Sequence, residues 1–198
     1  MKTGLIFLGV IVAIVGIFAF SSVGTYNGLV AEEEMVAQSW GDVETQYQRR
    51  ADLIPNLVST VQGAADFEQE TLQAVTAARA RATSINLSAS DLSDPARMRE
   101  FMNAQNSLSG ALGRLLVVSE NYPELRATES FRDLQVQLEG TENRINLARR
   151  DYNGAVRSYN TRVRQFPGSV IAAITGFERR TTFESQGGAD KAPQVEFN

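Results

Sequence analysis

Between Phe131 and Phe166 the apolar or small residues Phe131, Leu134, Leu138, Thr141, Ile145, Ala148, Tyr152, Ala155 and Tyr159 recur alternately three and four positions apart. Val163 and Phe166 continue the stripe after a one-residue shift. A strand repeats every two residues, so only a helix gathers these side chains on one face. At ~1.5 Å per residue such a helix is roughly 54 Å long. A periodic run of this length without an internal stop packs along its length, as in a coiled coil or bundle.

Two further stripes have the same character. One reads Met98, Phe101, Gln105, Leu108, Leu112, Leu115, Ser119, Tyr122, with Asp94 placed to cap and Pro95 at the first helical position. Pro123 closes it, because proline pushes its predecessor out of helical conformation. The other reads Val36, Trp40, Val43, Tyr47, Ala51, Ile54, Val58, Val61, Ala65, then more loosely Leu72, Val75, Ala78, Ala82, Ile85. Pro55 lies inside it and predicts a kink or break near Asp52–Pro55. The polar connections Asn86–Ser93 and Pro123–Ser130 are short, which makes neighbouring helices antiparallel. The expected fold class is all-α: one N-terminal transmembrane helix, then a long antiparallel bundle of three to four helices.

The transmembrane expectation rests on Gly4–Val23, twenty uncharged residues, with no acid or base between Lys2 and Glu32. As a helix that run covers about 30 Å, the thickness of a bilayer's hydrocarbon core. A cleaved signal peptide is the alternative, with Ala19-Phe20-Ser21 as a weak processing site, but the apolar run is longer than a usual signal core. Lys2 flanks one side, and on the other the next basic residue is Arg49, beyond the reach of the positive-inside bias. That asymmetry places the N-terminus in the cytoplasm and the bundle outside it. The expected division is an anchor over 1–23, a bundle over 24–184 and a flexible tail over 185–198. The tail contains Gly187-Gly188 and Pro193.

Composition narrows the chemistry. The chain has no cysteine and no histidine, which excludes a thiol nucleophile, a disulfide, a Cys/His zinc site, a His-ligated haem and a Ser-His-Asp relay. A net charge of −4 argues against nucleic acid. A di-iron bundle needs Glu-x-x-His pairs, and no acidic calcium loop is present. Asp91, Asp94 and Glu100 read as caps and surface charges, and Glu32-Glu33-Glu34 as a solvated helix face rather than a cation-attracting collar. No two carboxylates suggest the opposed environments of an acid–base pair. No catalytic residue, cofactor or metal is expected.

Two polar knots interrupt the stripes. Arg49, Arg50, Asp52 and Asn56 crowd around Pro55. Arg50, Asp52 and Asn56 are expected to pair inside the bundle and fix helix register, with a recognition surface as the alternative. Gly140-Thr141-Glu142-Asn143-Arg144 forms the second knot, where Gly140 could admit a close backbone. Tyr152-Asn153 and Tyr159-Asn160 lie one heptad apart, tyrosines on one face and asparagines beside it. The segment with Val170, Ile171, Ile174 and Phe177 is apolar yet too short to span a bilayer, and it marks an interface candidate. Pro193, Val195 and Phe197 in the tail alternate as an added strand would.

These features resemble the LemA family of bacterial membrane proteins. The resemblance is carried by Tyr26-Asn27, Trp40, Arg49-Arg50-x-Asp52-Leu53-Ile54-Pro55-Asn56-Leu57-Val58 and Thr71-Leu72-x-x-Val75-x-x-Ala78-Arg79. It continues through Glu120-x-Tyr122-Pro123-x-Leu125, Gly140-Thr141-Glu142-Asn143-Arg144-Ile145, Ala148-Arg149, Tyr152-Asn153, Tyr159-Asn160, Phe166-Pro167 and Pro193-x-Val195-x-Phe197. Phe67 departs from the usual pattern. The resemblance implies one membrane-spanning helix in the bacterial plasma membrane, a long helical bundle and no enzymatic activity; magnetosome-associated relatives suggest membrane organisation. The expected function is a membrane-anchored scaffold that self-assembles as a homo-oligomer on the bilayer. The alternative is an adaptor or receptor subunit for another membrane protein, such as a protease or transporter.

Overall fold

The computed structural model of the chain describes residues 2–63 and 67–184, although several side chains among the first twenty residues lie outside the description. Every regular element among the described residues is helical. Helix α1 runs from Lys2 to Gln62, α2 from Gln69 to Ser84, α3 from Pro95 to Ser119 and α5 from Glu129 to Arg164, with a one-turn α4 over Pro123–Ala127 and a short α6 over Gly168–Thr175. A single 3-10 turn over Asp91–Ser93 leads into α3.

Local chemistry sets the boundaries. Asp94 caps α3, its carboxylate accepting from the backbone N–H of Ala96 at 2.7 Å, and Pro95 occupies the first turn where its missing N–H is not needed. Thr128 caps α5 through Phe131 N–H. The connection expected as loop over Pro123–Ser130 instead carries α4, again with proline at its start.

Helix α1 does not break at Pro55. It has 61 residues, a rod of about 90 Å at ~1.5 Å per residue, and passes without interruption through both Val23 and Pro55. Among the described residues no helix is long and apolar enough to cross a membrane. The uncharged run Gly4–Val23 forms the first third of α1, where the description of side chains is incomplete.

Helices α1 and α5 lie antiparallel along most of α5. Arg50 meets Glu142, Trp40 meets Tyr152 and Gly28 meets Arg162, so the number falls on one helix as it rises on the other. Helices α2 and α3 pair beside them. The core divides in two. The part nearer the N-terminus of α1 holds Val36, Trp40, Val43, Tyr47, Phe101, Ile145, Tyr152, Tyr159 and Phe183. The distal part holds Ile54, Leu57, Val61, Val75, Leu108, Leu115 and Phe131. The polar group around Arg50 lies between them.

The α5 stripe is buried at Phe131, Leu134, Leu138, Thr141, Ile145, Ala148, Tyr152, Tyr159 and Val163, but Val156 takes the place expected for Ala155. Phe166 does not continue it. The helix has ended at Arg164, and the ring is 76% exposed.

Candidate functional site

Arg50 is 2% exposed, in the layer between the two core halves. Its Nη1 donates to Ser109 Oγ at 2.8 Å and to Glu142 Oε2 at 3.1 Å, and its Nη2 donates to Gln105 Oε1 at 2.6 Å. The guanidinium also lies 5.1 Å from the centre of the Tyr47 ring. A buried cation needs this density of partners, since an isolated one is strongly disfavoured in an apolar interior. Gln105 in turn donates to the Ala82 carbonyl, so one arginine ties α1, α3, α5 and the end of α2 together.

Of the three residues expected to pair inside the bundle, Arg50 does so, whereas Asp52 and Asn56 do not. Residues two apart on a helix face different directions. Asp52 is exposed and accepts from Gln48 Nε2 at 2.8 Å; Asn56 and Arg49 are also exposed. In the second knot Thr141 is buried with its hydroxyl donating to the Gln137 carbonyl, Glu142 reaches Arg50, and Asn143 faces outward. A Cβ on Gly140 would meet open space, so no backbone approaches there. Close approach occurs instead at Gly28 and Gly168, where added Cβ atoms would overlap the Arg162 guanidinium and the Arg162 carbonyl. Arg162 thereby seats α5 on α1 beside Glu32, 3.9 Å away.

The asparagines of the Tyr-Asn repeat hold the chain that follows α6. Asn160 Nδ2 donates to the Arg180 carbonyl at 2.8 Å, and its Oδ1 accepts from Arg180 N–H at 2.9 Å. Asn153 repeats the exchange with Phe183, at 3.0 Å and 2.8 Å. Between these rungs Tyr152 donates to the Thr181 carbonyl at 2.9 Å, and Thr181 N–H donates to the Leu92 carbonyl at 2.7 Å. Residues 180–183 are thus an extended strap held by backbone recognition in a groove of helices. Its side chains anchor it too: Phe183 stacks on Trp40 and meets Tyr152 edge-on, with the Arg149 guanidinium over the Phe183 ring, 4.7 Å from its centre, while Arg180 pairs with Glu33 and Ser93. The sequence reading missed the strap; the signal available was the heptad repeat of Tyr-Asn.

The apolar segment is split by α6. Ile171 is buried and Phe177 packs edge-on against Tyr26, whereas Val170 is 38% and Ile174 77% exposed. Pro193, Val195 and Phe197 lie outside the described residues.

Burial pushes the Tyr152 hydroxyl well above its ordinary pKa and raises Tyr159 to about 12, the latter helped by Glu33 and opposed by Arg180. The Tyr159 hydroxyl has no hydrogen-bond partner among the described residues. A groove of about 380 Å³ between α1 and the α2–α3 pair is lined by Tyr47, Gln48, Phe101 and Gln105, with Glu44 at its edge as its sole carboxylate. Burial raises Glu44, partly offset by the nearby Trp40 indole, whose N–H lies outside hydrogen-bond geometry. One carboxylate with no acidic or basic counterpart cannot divide acid and base roles.

The LemA family model matches residues 39–197, which takes in the Arg50 layer, the strap and its asparagine rungs. The chain belongs to the LemA family. Among its relatives, Magnetosome protein MamQ 2 of Paramagnetospirillum magneticum is 27% identical over 181 residues, covering 83% of this chain and 66% of that protein. Magnetosome protein MamQ of Magnetospirillum gryphiswaldense is 25% identical over 189 residues, 86% of this chain and 70% of its own length. Protein LemA of Metamycoplasma hominis is 25% identical over 158 residues, 80% and 68% respectively. The chain therefore spans just under two thirds of the length of the first of these relatives.

Proposed function

We propose that this LemA-family chain is a non-enzymatic, membrane-anchored scaffold that self-assembles laterally at the bacterial plasma membrane. The observation that carries the reading is the continuity of α1 from Lys2 to Gln62. The uncharged run Gly4–Val23 and the bundle share one helix, so an anchor in that run would hold the rod without a hinge. Such a rod presents the same faces to every neighbour in the plane of the membrane, which favours repeated contacts over diffusive ones. The resemblance to proteins named for the magnetosome supports a role in membrane organisation rather than in turnover of a substrate.

Lateral contact has a surface available. Phe166, Val170 and Ile174 are exposed around α6, and Val23 on the adjoining part of α1 is 61% exposed. Exposed apolar residues gathered at one end of a polar rod mark an interface. The absence of cysteine from the chain makes the test direct. Ile174→Cys, treated in cells with a membrane-permeable bismaleimide, is expected to give mainly dimers of this chain. One abundant foreign partner would support instead the adaptor for another membrane protein, and no crosslinked product at all would contradict both.

A further inference from the structure

Arg157 and Arg164 lie one heptad apart on α5, and Arg179 enters the strap across from them. All three line one groove of about 850 Å³, in which Glu184 is the one carboxylate without a partner among the described residues. The three arginines are exposed, and none has a carboxylate within ion-pair distance among the described residues. Acids close by are already engaged: Glu33 pairs with Arg180, and Glu32 lies beside Arg162. Glu178, next to Arg179 in sequence, is exposed and pairs with none of the three. In a chain of net charge −4, a groove lined by one sign of charge concentrates anions of the opposite sign.

The height of the groove on the rod follows from its neighbours. Gly28 of α1 lies against Arg162, so in this antiparallel pair Arg164 stands roughly three residues, ~4.5 Å, beyond Val23. Asn160 holds Arg180 and Asn153 holds Phe183, so Arg179 lies one step nearer the end of α5, within about a turn of Arg164. If Gly4–Val23 is the anchor, the headgroup layer covers about the next 5–7 Å, half the difference between a ~30 Å core and a ~40–45 Å bilayer. Arg164 and Arg179 therefore stand at the phosphates, with Arg157 about 10.5 Å above Arg164. Gln165 also lines a second groove, of about 300 Å³, between Ser21, Gly24 and Thr25 of α1 and Phe166. That groove begins beside the last residues of the uncharged run, and the Phe166 ring on its edge is 76% exposed. A basic cleft above is thus joined to an apolar margin below.

We propose that the groove binds the headgroup of an anionic phospholipid, with Arg164 and Arg179 holding its phosphate from opposite walls and its acyl chains passing Phe166 along exposed Val23 and Phe20. A guanidinium suits this task because its planar fork pairs with two phosphate oxygens at once. A zwitterionic headgroup brings its own cation and gains less from an uncompensated arginine groove. The inference rests on the anchor proposed above and adds the class of lipid held against the rod. Ile174, the residue assigned to lateral contact, lines neither groove.

The test is native mass spectrometry of the full chain in detergent, titrated with dioctanoyl phosphatidylglycerol or dioctanoyl phosphatidylcholine. The anionic lipid is expected to bind more tightly. Arg164→Gln and Arg179→Gln, one on each wall, should each weaken it about three- to tenfold, the size of one charge-assisted bond at a partly exposed site. Arg144→Gln removes the same charge from an exposed position of α5 outside the groove and should leave the affinity within about twofold. Equal affinity for the two lipids, or an equal loss from Arg144→Gln, overturns the proposal. Glycerol phosphate carries the anion without acyl chains and should compete poorly; competition as strong as the lipid's assigns the groove to a soluble phosphate compound and also overturns it. The same spectra report the mass of the assembly. A chain that assembles without preferring the anionic lipid refutes this site alone, and a single-copy chain that keeps the preference refutes the lateral scaffold alone. Flotation with phosphatidylcholine vesicles reads the anchor by itself, and a chain that fails to float overturns the anchor and the lipid assignment together.

Discussion

Arg79 Nε donates to the carbonyl of Ala51 at 2.8 Å, and that carbonyl is the one Pro55 leaves without a helical donor. In an α-helix the N–H of residue 55 would bond residue 51, and proline has no N–H to give. A side chain from α2, 28 positions later, supplies the missing donor. This is why α1 continues to Gln62 through a residue expected to interrupt it.

Removing that donor should expose the cost of the proline. Arg79→Ala is expected to destabilise the bundle by ~1–3 kcal/mol, the range for a buried acceptor left unsatisfied. In a Pro55→Ala background, where the helix regains its own bond, the same substitution should cost clearly less. A double-mutant cycle by urea unfolding reads the coupling; additive effects would show that Arg79 acts elsewhere.

Glu142→Gln removes the only anionic partner that buried Arg50 has among the described residues, while keeping the side chain's shape. The expected loss is ~1–3 kcal/mol in the same assay. Arg49→Ala, one position away but exposed, should stay within ~0.5 kcal/mol of the native protein.

Asn153→Ala and Asn160→Ala each delete two hydrogen bonds to the strap. Each is expected to raise the rate of tryptic cleavage at Arg179 and Arg180 well above that of the native chain, because proteases need the backbone locally released. The neighbouring exposed Asn143→Ala should cleave at the native rate.

Tyr159 has its pKa raised from 10.0 to about 12, chiefly by burial. Above pH 10 the unfolded chain ionises this group first, so the folded state binds more protons and stability falls as pH rises toward 12. Below pH 10 the group is neutral in both states and contributes no pH dependence. Tyr159→Phe should flatten that alkaline loss. Near neutral pH it should be neutral or mildly stabilising, since the hydroxyl is buried without a partner among the described residues. Tyr152→Phe, which loses a bond to Thr181, should instead cost ~1 kcal/mol. Thermal unfolding between pH 8 and 12 separates the two.

What the sequence made legible is what lies within one turn or one face. The α5 stripe follows from side-chain spacing alone, and the Asp94-Pro95 start of α3 follows from backbone groups two and three residues away. The break that Pro55 could have made does not occur, and its rescue comes from Arg79, a tertiary partner no local pattern reveals. Arg50 was placed in a polar knot, yet its partners Gln105, Ser109 and Glu142 lie on two other helices. The Tyr-Asn repeat was visible as a repeat, but its role depends on residues 180–183, which lie 20 and 30 positions away in sequence from the asparagines that hold them. Those residues are extended because helices hold them.

The central claim is that a hinge-free rod assembles with its own kind, and the unsubstituted chain in nanodiscs or mild detergent puts it to the most direct trial. Size-exclusion chromatography with light scattering at micromolar concentration should return a protein mass that is a multiple of the 21.7 kDa chain. Ile174→Asp should shift that mass toward the single chain. A native protein that runs strictly as one copy across the concentration range would contradict the account.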